Sequence, residues 1–476
     1  MTWRVFMTLS KEQHPASGLV YRRQNAWDLL SEEDRFNVMA FSDDYKNFLN
    51  ASKTEREAVD TALEYIRCAG FRPLEDAPTL KPGDKIFTVN HRKALIAAII
   101  GKEPIDSGLN IIGAHIDSPR LDLKPQPVYE DEGMVFFKTH YYGGIKKYQW
   151  LSIPLALHGV VVKASGDSVP VVVGEKPEDP LFTITDLLPH LAREQMDKKM
   201  ADAVPGENLN ILVGGIPLAG DGLKERFKLA VLEYLNREYR ITEEDLISAE
   251  LELVPAWPAR DVGLDRSFIG GYGQDDRVCA YAALRALTGN SDLAHTALLI
   301  LADKEEIGSN GNTGMEAAFF ANAVREITSR VTPVYNELLF HRALANSRAL
   351  SADVNVGLDP NYGDVVEKMN TARLGCGLVI TKYTGSKGKY ASNDAHAEVV
   401  AYLRRIFNES GVVWQTGELG KVDQGGGGTI AHLLAAYGMD VLDCGVALLG
   451  MHSPFEVASK VDVYMAYKGY RAFFAK

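Results

Sequence analysis

The sequence predicts an α/β fold: a mostly parallel sheet with helices on both faces, carrying an inserted, mainly β unit. Three observations predict it. Beyond residue 257 strand-like and helix-like runs alternate, and repeated βα units imply parallel strands covered by helices. Residues 109–114 form an apolar run, the mark of a strand buried on both faces. Residues 123–254 show short alternating segments punctuated by Gly143-Gly144, Gly159 and Gly174, a β pattern of another kind.

The elements follow in order. Residues 25–50 mix polar and aromatic side chains with weak helical periodicity. Ser52 and Glu55 match an S-x-x-E capping box. Ala58, Val59, Ala62, Leu63 and Ile66 then recur at helical spacing, and Gly70 closes the helix. Pro82-Gly83 marks a turn. Residues 87–89 and 94–100 read as paired strands around Asn90-His91-Arg92, and 109–114 as the strand that delivers His115 and Asp117. In the insertion, 134–139, 157–163 and 170–173 read as strands, and 183–201 as a polar helical stretch around Leu187, Leu188 and Leu191. Beyond it come helices at 277–287 and 315–327, a helix capped by Ser392 and running to 407, and strands at 296–301, 350–356 and 378–381. Segments 412–416, 429–436 and 441–444 continue the alternation. The division is 1–122 with 255–476 as one domain, and 123–254 as the other.

Bulk properties narrow the class. A chain of 476 residues exceeds one simple core and implies about two domains. Its 46% hydrophobic and 24% charged content is ordinary for a soluble globular protein. A net charge of -12 argues against a nucleic-acid partner, which needs a basic face. No stretch approaches the roughly 18 apolar residues of a membrane span. Arg4 interrupts the short apolar stretch at 1–10, which lacks the continuous core of a signal peptide. Cys68, Cys279, Cys376 and Cys444 are scattered without C-x-x-C spacing and read as small buried hydrophobes in a reducing cytoplasm.

Five polar segments end apolar runs: His115-Ile116-Asp117, Asp275-Asp276, Glu305-Glu306, Ala352-Asp353 and Met451-His452. His115 and Asp117 share a strand face, and a metal-bound imidazole usually donates its other N–H to a carboxylate. One of Asp275 and Asp276 suits a bridge between two ions, the other a helix cap. Neighbouring side chains diverge, so one of Glu305 and Glu306 suits a ligand and the other a general base. Asp353 is a lone acid in a small apolar run, and His452 is the second nitrogen donor. Each segment alone has a plainer reading as a cap, a turn or a charged loop. Jointly they place the donors of a two-metal hydrolase at the carboxyl ends of the strands, where open α/β sheets bind ligands.

With these segments in hand, the chain resembles the aspartyl aminopeptidase and vacuolar aminopeptidase I family of co-catalytic di-zinc exopeptidases. The resemblance rests on residues 113–119, 274–277, 305–309, 351–353, 390–393 and 451–453 and covers nearly the whole chain. It implies a bridging Asp275, one metal site completed by His115 and Asp353, and another completed by Glu306 and His452. It further implies Glu305 as general base, Asp117 as the acid orienting His115, and 123–254 as a dimerisation domain. Through Leu188-Pro189-His190-Leu191 it implies that His190 reaches a neighbouring subunit's active site. Two divalent ions per subunit follow, with zinc first and cobalt or manganese as alternatives, in a homo-oligomer, a dodecamer built from dimers. Lys387, with Lys389 beside it, matches the lysine that holds acidic side chains in aspartyl members. Residues 308–311, 425–428 and 267–273 are instead closer to the aminopeptidase I branch, which favours neutral residues. The expected activity is removal of N-terminal residues from peptides. A deacylase or carboxypeptidase on the same scaffold is the alternative, and a non-catalytic peptide-binding scaffold a remote one.

Overall fold

Nine strands form the largest sheet of the computed structural model, which describes residues 19–220 and 222–476. The 1–10 stretch lies outside the described residues. Four strands at the sheet centre run parallel: Thr296–Ala302, Leu109–His115, Arg348–Ser351 and Asp440–Gly445. Antiparallel neighbours flank them, Ala94–Ile99 on one side and Leu378–Thr381 on the other. Every residue of Leu109–His115 and Thr296–Ala302 is buried, which explains their near-continuous apolar sequence. Alternate side chains serve opposite faces. Ile112, Ala114, Leu299 and Leu301 pack with the helices Glu32–Ala51, Glu55–Cys68, Gln274–Thr288, Ala397–Glu409 and Lys460–Phe474. Ile111, Leu298 and Ile300 pack with Phe319–Val331, Glu337–Ala345 and Ala431–Ala435 on the other face. The expected α/β class with helices on both faces is what the chain adopts.

Register decides what this sheet presents at its edge. Ala302 pairs with His115, and Ser351 pairs with Gly113 and Asp443. The central strands therefore stop at one level, and Glu305, Glu306 and Asp353 emerge beside His115. A five-stranded sheet completes the rim, with Phe268–Gly271 pairing to Glu456–Ser459 and the latter to Ala447–Leu449. That pairing sets the turn carrying His452 against the start of the helix carrying Asp275.

The third sheet is antiparallel. It joins Ser168–Val173, Leu155–Val162, Ala249–Pro255, Arg120–Asp131, Met134–Tyr142 and Ile211–Gly214. Leu121, Phe137, Trp150, Leu157, Val161, Ile211 and Leu253 give it a core of its own. Its strands reach from Arg120 to Pro255, slightly beyond the expected 123–254.

Several local expectations are corrected. Residues 25–50 hold a long helix, Glu32–Ala51, with Ser31 as its N-cap. Ser52 is that helix's C-cap, and Thr54 with Glu57 makes the capping box of the next. Residues 183–201 hold two single-turn helices and the start of a third, not one continuous helix. Ser392 does not cap a helix: its hydroxyl accepts from the Thr384 and Asp394 N–H groups, and the helix begins at Ala397. The 350–356 run breaks after Ser351 and resumes at Asn355, leaving Asp353 in the gap. Cys68 is exposed at a helix end and Cys376 is half-buried, while Cys279 and Cys444 are buried; all four thiols are free. Among the described residues, no helix is long and apolar enough to cross a membrane.

Candidate metal centre

Asp275 stands between the two imidazoles. Its Oδ1 lies 3.2 Å from His115 Nε2 and its Oδ2 lies 3.1 Å from His452 Nε2. His452 Nε2 is also 3.3 Å from Glu306 Oε1. Donor atoms of His115, Asp275 and Glu306 converge in one group, and those of His115, Asp276 and Asp353 in another. The structure thus brings together all five residues expected as ligands and adds Asp276. That side chain is buried and accepts the His115 N–H at 3.3 Å, so it is more than the helix cap that its neighbour left it to be.

Both imidazoles are held from behind. His115 Nδ1 faces only acceptors, the Asp117 main-chain oxygen at 3.0 Å and Oδ1 at 3.3 Å, so its proton sits there and Nε2 is left for the site. His452 Nδ1 donates to the Gly144 carbonyl at 2.8 Å with the same consequence. Asp117 does more than orient His115. It accepts the Glu305 N–H at 3.1 Å, the Glu306 N–H at 3.2 Å and the Tyr142 hydroxyl at 2.8 Å. One buried carboxylate therefore fixes a ligand ring and the turn bearing two acids. That turn, Glu305–Ile307, is flanked by left-handed Lys304 and Gly308, and His452 is itself left-handed at φ 64. Such backbone persists where the surroundings over-determine it, which active sites commonly do.

Sequence reasoning missed Glu456. Its carboxylate is buried and accepts N–H groups from Gln274 at 2.6 Å, Asp275 at 3.1 Å and His452 at 2.8 Å. It ties the two ligand-bearing segments together, and burial pushes its pKa up to about 8. A lone acid opening the buried strand Glu456–Ser459 was the available signal.

Electrostatics favour a cationic occupant. Burial works against charge on both histidines, yet neighbouring carboxylates outweigh it. Asp117 and Asp275 hold His115 well above its ordinary value, and Asp275 with Glu306 holds His452 at about 10. Burial raises Glu305, Glu306 and Asp353, and nearby acids add to it. Asp276 Oδ1 is buried with no hydrogen-bond partner, and Asp275 Oδ1 and Glu306 Oε1 face only imidazole nitrogens, a costly state that a coordinated cation removes. The nitrogen-and-oxygen donor set fits zinc and related divalent ions.

The donors open onto a cavity of about 410 Å³ whose wall includes Glu305, Val354, Tyr383, Leu419, Gly426–Gly428 and Met451. Three expected site residues lie away from this wall. Lys389 is bound to Asp394 at 3.0 Å and lies over the Tyr383 ring at 4.0 Å. Lys387 is exposed beside it. His190 is exposed on the single turn Pro189–Leu191.

Residues 48–474 match the family model described as "Aminopeptidase I zinc metalloprotease (M18)". A relative from Clostridium acetobutylicum, named "Probable M18 family aminopeptidase 1", is 52% identical over 459 residues, 96% of this chain and 98% of the relative. The crystal structure of an M18 family aminopeptidase from Thermotoga maritima superposes with a TM-score of 0.93 at 49% identity, covering 96% of this chain and 100% of that one. The S. cerevisiae mApe1 dodecamer shares the fold, with a TM-score of 0.73 at 23% identity over 91% of this chain and 95% of that one.

Proposed function

The chain belongs to the M18 family of aminopeptidases, hydrolases of the zinc metallopeptidase class, and from that premise we propose a two-metal, glutamate-assisted release of N-terminal residues from peptides. The observation that carries it is Asp275, with one carboxylate oxygen turned to each imidazole. His115 and Asp353 would hold one zinc ion and Glu306 and His452 the other, with Asp275 between them. Zinc, when bound, supplies Lewis-acid polarisation of the scissile carbonyl and acidifies a water.

The chain's own groups do the rest. Glu305 is the general base: it takes the proton of the attacking water and passes one to the leaving amine as the C–N bond breaks. Burial raises its pKa, which makes its carboxylate a stronger base. Asp117 positions His115 and holds the Glu305–Glu306 turn by two N–H groups. The free α-amino group of the substrate lies among the carboxylates, which would reject an N-blocked peptide. Lys389, over the ring of the cavity-lining Tyr383, and Lys387 two positions before it are the candidates for contact with an acidic first side chain. The neutral cavity wall around Val354, Leu419 and Met451 favours uncharged ones.

The antiparallel unit of residues 123–254 is read as the dimerisation domain, and the assembly as a dodecamer built from dimers. Exposed Leu187, Leu188 and Leu191 beside His190 support a role for that segment in a subunit contact. His190 would then stabilise the developing oxyanion from a neighbouring copy. The four free thiols fit a cytoplasmic setting.

A panel of free-amine, N-blocked and C-blocked dipeptides tests the activity. Cleavage confined to free-amine substrates is expected; turnover of N-blocked substrates would instead indicate a deacylase or carboxypeptidase.

A further inference from the structure

Three consecutive residues at the end of one strand of the antiparallel sheet touch both halves of the metal centre. Tyr142 closes Met134–Tyr142, and its hydroxyl donates to Asp117 Oδ2 at 2.8 Å. Gly143, at φ 72, lies so close to Glu306 that an added Cβ would sit 3.3 Å from Oε2 and 3.4 Å from the Glu306 Cβ. Gly144 gives its carbonyl to His452 Nδ1 at 2.8 Å. One short turn thus bears on Asp117 behind His115, on Glu306 directly, and on the ring of His452.

The turn is itself anchored. The Tyr142 ring lies under the Arg120 guanidinium at 3.9 Å. Arg120 is buried and reaches Glu55 at 3.2 Å, Glu252 at 3.1 Å and Asp122 at 2.8 Å. Lys93 completes the group, 3.0 Å from Glu55. Glu55 and Lys93 belong to the unit with the nine-stranded sheet, whereas Arg120, Asp122 and Glu252 belong to the antiparallel sheet. A charge cluster of this kind ties the two units together, because removing Arg120 would leave the buried Glu252 without its cationic partner.

We infer that Tyr142-Gly143-Gly144 is a positioning brace through which the antiparallel unit sets the affinity of the two metal half-sites. Tyr142 acts by fixing the Asp117 carboxylate, which backs His115 through Oδ1 and holds the Glu306 N–H through Oδ2. Gly143 and Gly144 act on the Glu306 and His452 half, one by leaving room and the other by fixing the imidazole tautomer. The antiparallel unit is then part of the catalytic machinery within a single chain, besides any part it has in assembly. The inference rests on the two-metal reading above.

The test is zinc titration of metal-free protein against a chromophoric competitor, with thermal unfolding of the same metal-free samples as the control for folding. Outer-sphere partners of ligands commonly contribute about 10–100-fold to metal affinity. Tyr142→Phe should weaken one binding step by about tenfold or more and the other by clearly less. Gly143→Ala, whose Cβ presses on Glu306, should weaken the other step by a comparable factor. Both variants should stay folded when metal-free, Gly143→Ala unfolding at a somewhat lower temperature from its backbone strain at φ 72. Wild type binding fewer than two ions would overturn the two-metal reading itself. Two normal steps in wild type with no change in either variant would overturn the brace alone. Equal weakening of both steps in each variant, tracking a lowered unfolding temperature, would also overturn it by showing a general structural loss.

Discussion

The two halves of the proposed metal centre offer similar donors by different construction. The His115 half stands on the ends of parallel strands: His115 ends Leu109–His115, is 2% exposed, and is backed by a carboxylate. The His452 half stands on turns: His452 is 33% exposed, left-handed in backbone, and backed by a carbonyl. Strand ends locked by register leave little freedom, whereas a turn held by a few hydrogen bonds can yield. The difference teaches that one ion should be held firmly and the other should exchange, although both share Asp275.

The largest effect comes from a residue belonging to neither half. Glu305→Gln keeps the shape and removes the base, so kcat should fall by about 10²–10⁴-fold. Both ions should be retained in metal analysis; normal turnover would remove Glu305 from the mechanism. Next come the ligands themselves. His452→Ala should lower metal content by about one ion per chain and leave the fold intact. His115→Ala should cost metal and stability together, because it strips Asp117 and Asp275 of a buried partner. Equal thermal stability of the two variants would erase the proposed asymmetry. Third, dialysis of wild type against a chelator should release zinc in two phases, and the fast phase should be missing from His452→Ala.

Proton release gives the next contrast. Without metal, Asp275 and Glu306 hold His452 at about 10. The ring is therefore protonated below that pH, and an ion must displace the proton to bind. Affinity at this half should rise with pH, up to tenfold per unit, until about 10. Calorimetry in buffers of different ionisation enthalpy reads this directly, and pH-independent binding with no proton release would contradict it. The smallest effect concerns the lysines. Lys389→Ala uncovers Tyr383 and leaves Asp394 paired with Lys382 alone, so turnover of an aspartyl substrate should fall while that of a leucyl substrate stays unchanged. An equal loss on both would take Lys389 out of specificity.

The donors were legible because each follows an apolar run that could only be a buried strand or its neighbour. His115, Glu305, Glu306 and Asp353 needed no more than strand ends and register. Apart from Asp117, what held the donors was not legible. Glu456 and Tyr142 act across 182 and 25 positions of sequence, and no local pattern marks either contact. The helix Glu32–Ala51 was obscured because its buried face includes Ser42 and Tyr45 among the apolar residues, which blurs the periodicity. The cap was misassigned because two S/T-x-x-E frames overlap, and Ser52 is already committed to ending the preceding helix. The turns near Leu187 and Leu188 lack a hydrophobic face of their own, so helical spacing there had nothing to pack against.

The claim on which the rest depends is that two cations share Asp275. Anomalous diffraction at the zinc edge, on crystals of the metal-loaded protein, tests it most directly. Two peaks are predicted, one beside His115 and Asp353 and the other beside His452 and Glu306, each next to a different oxygen of Asp275. A single peak, or two peaks without Asp275 between them, would contradict the account.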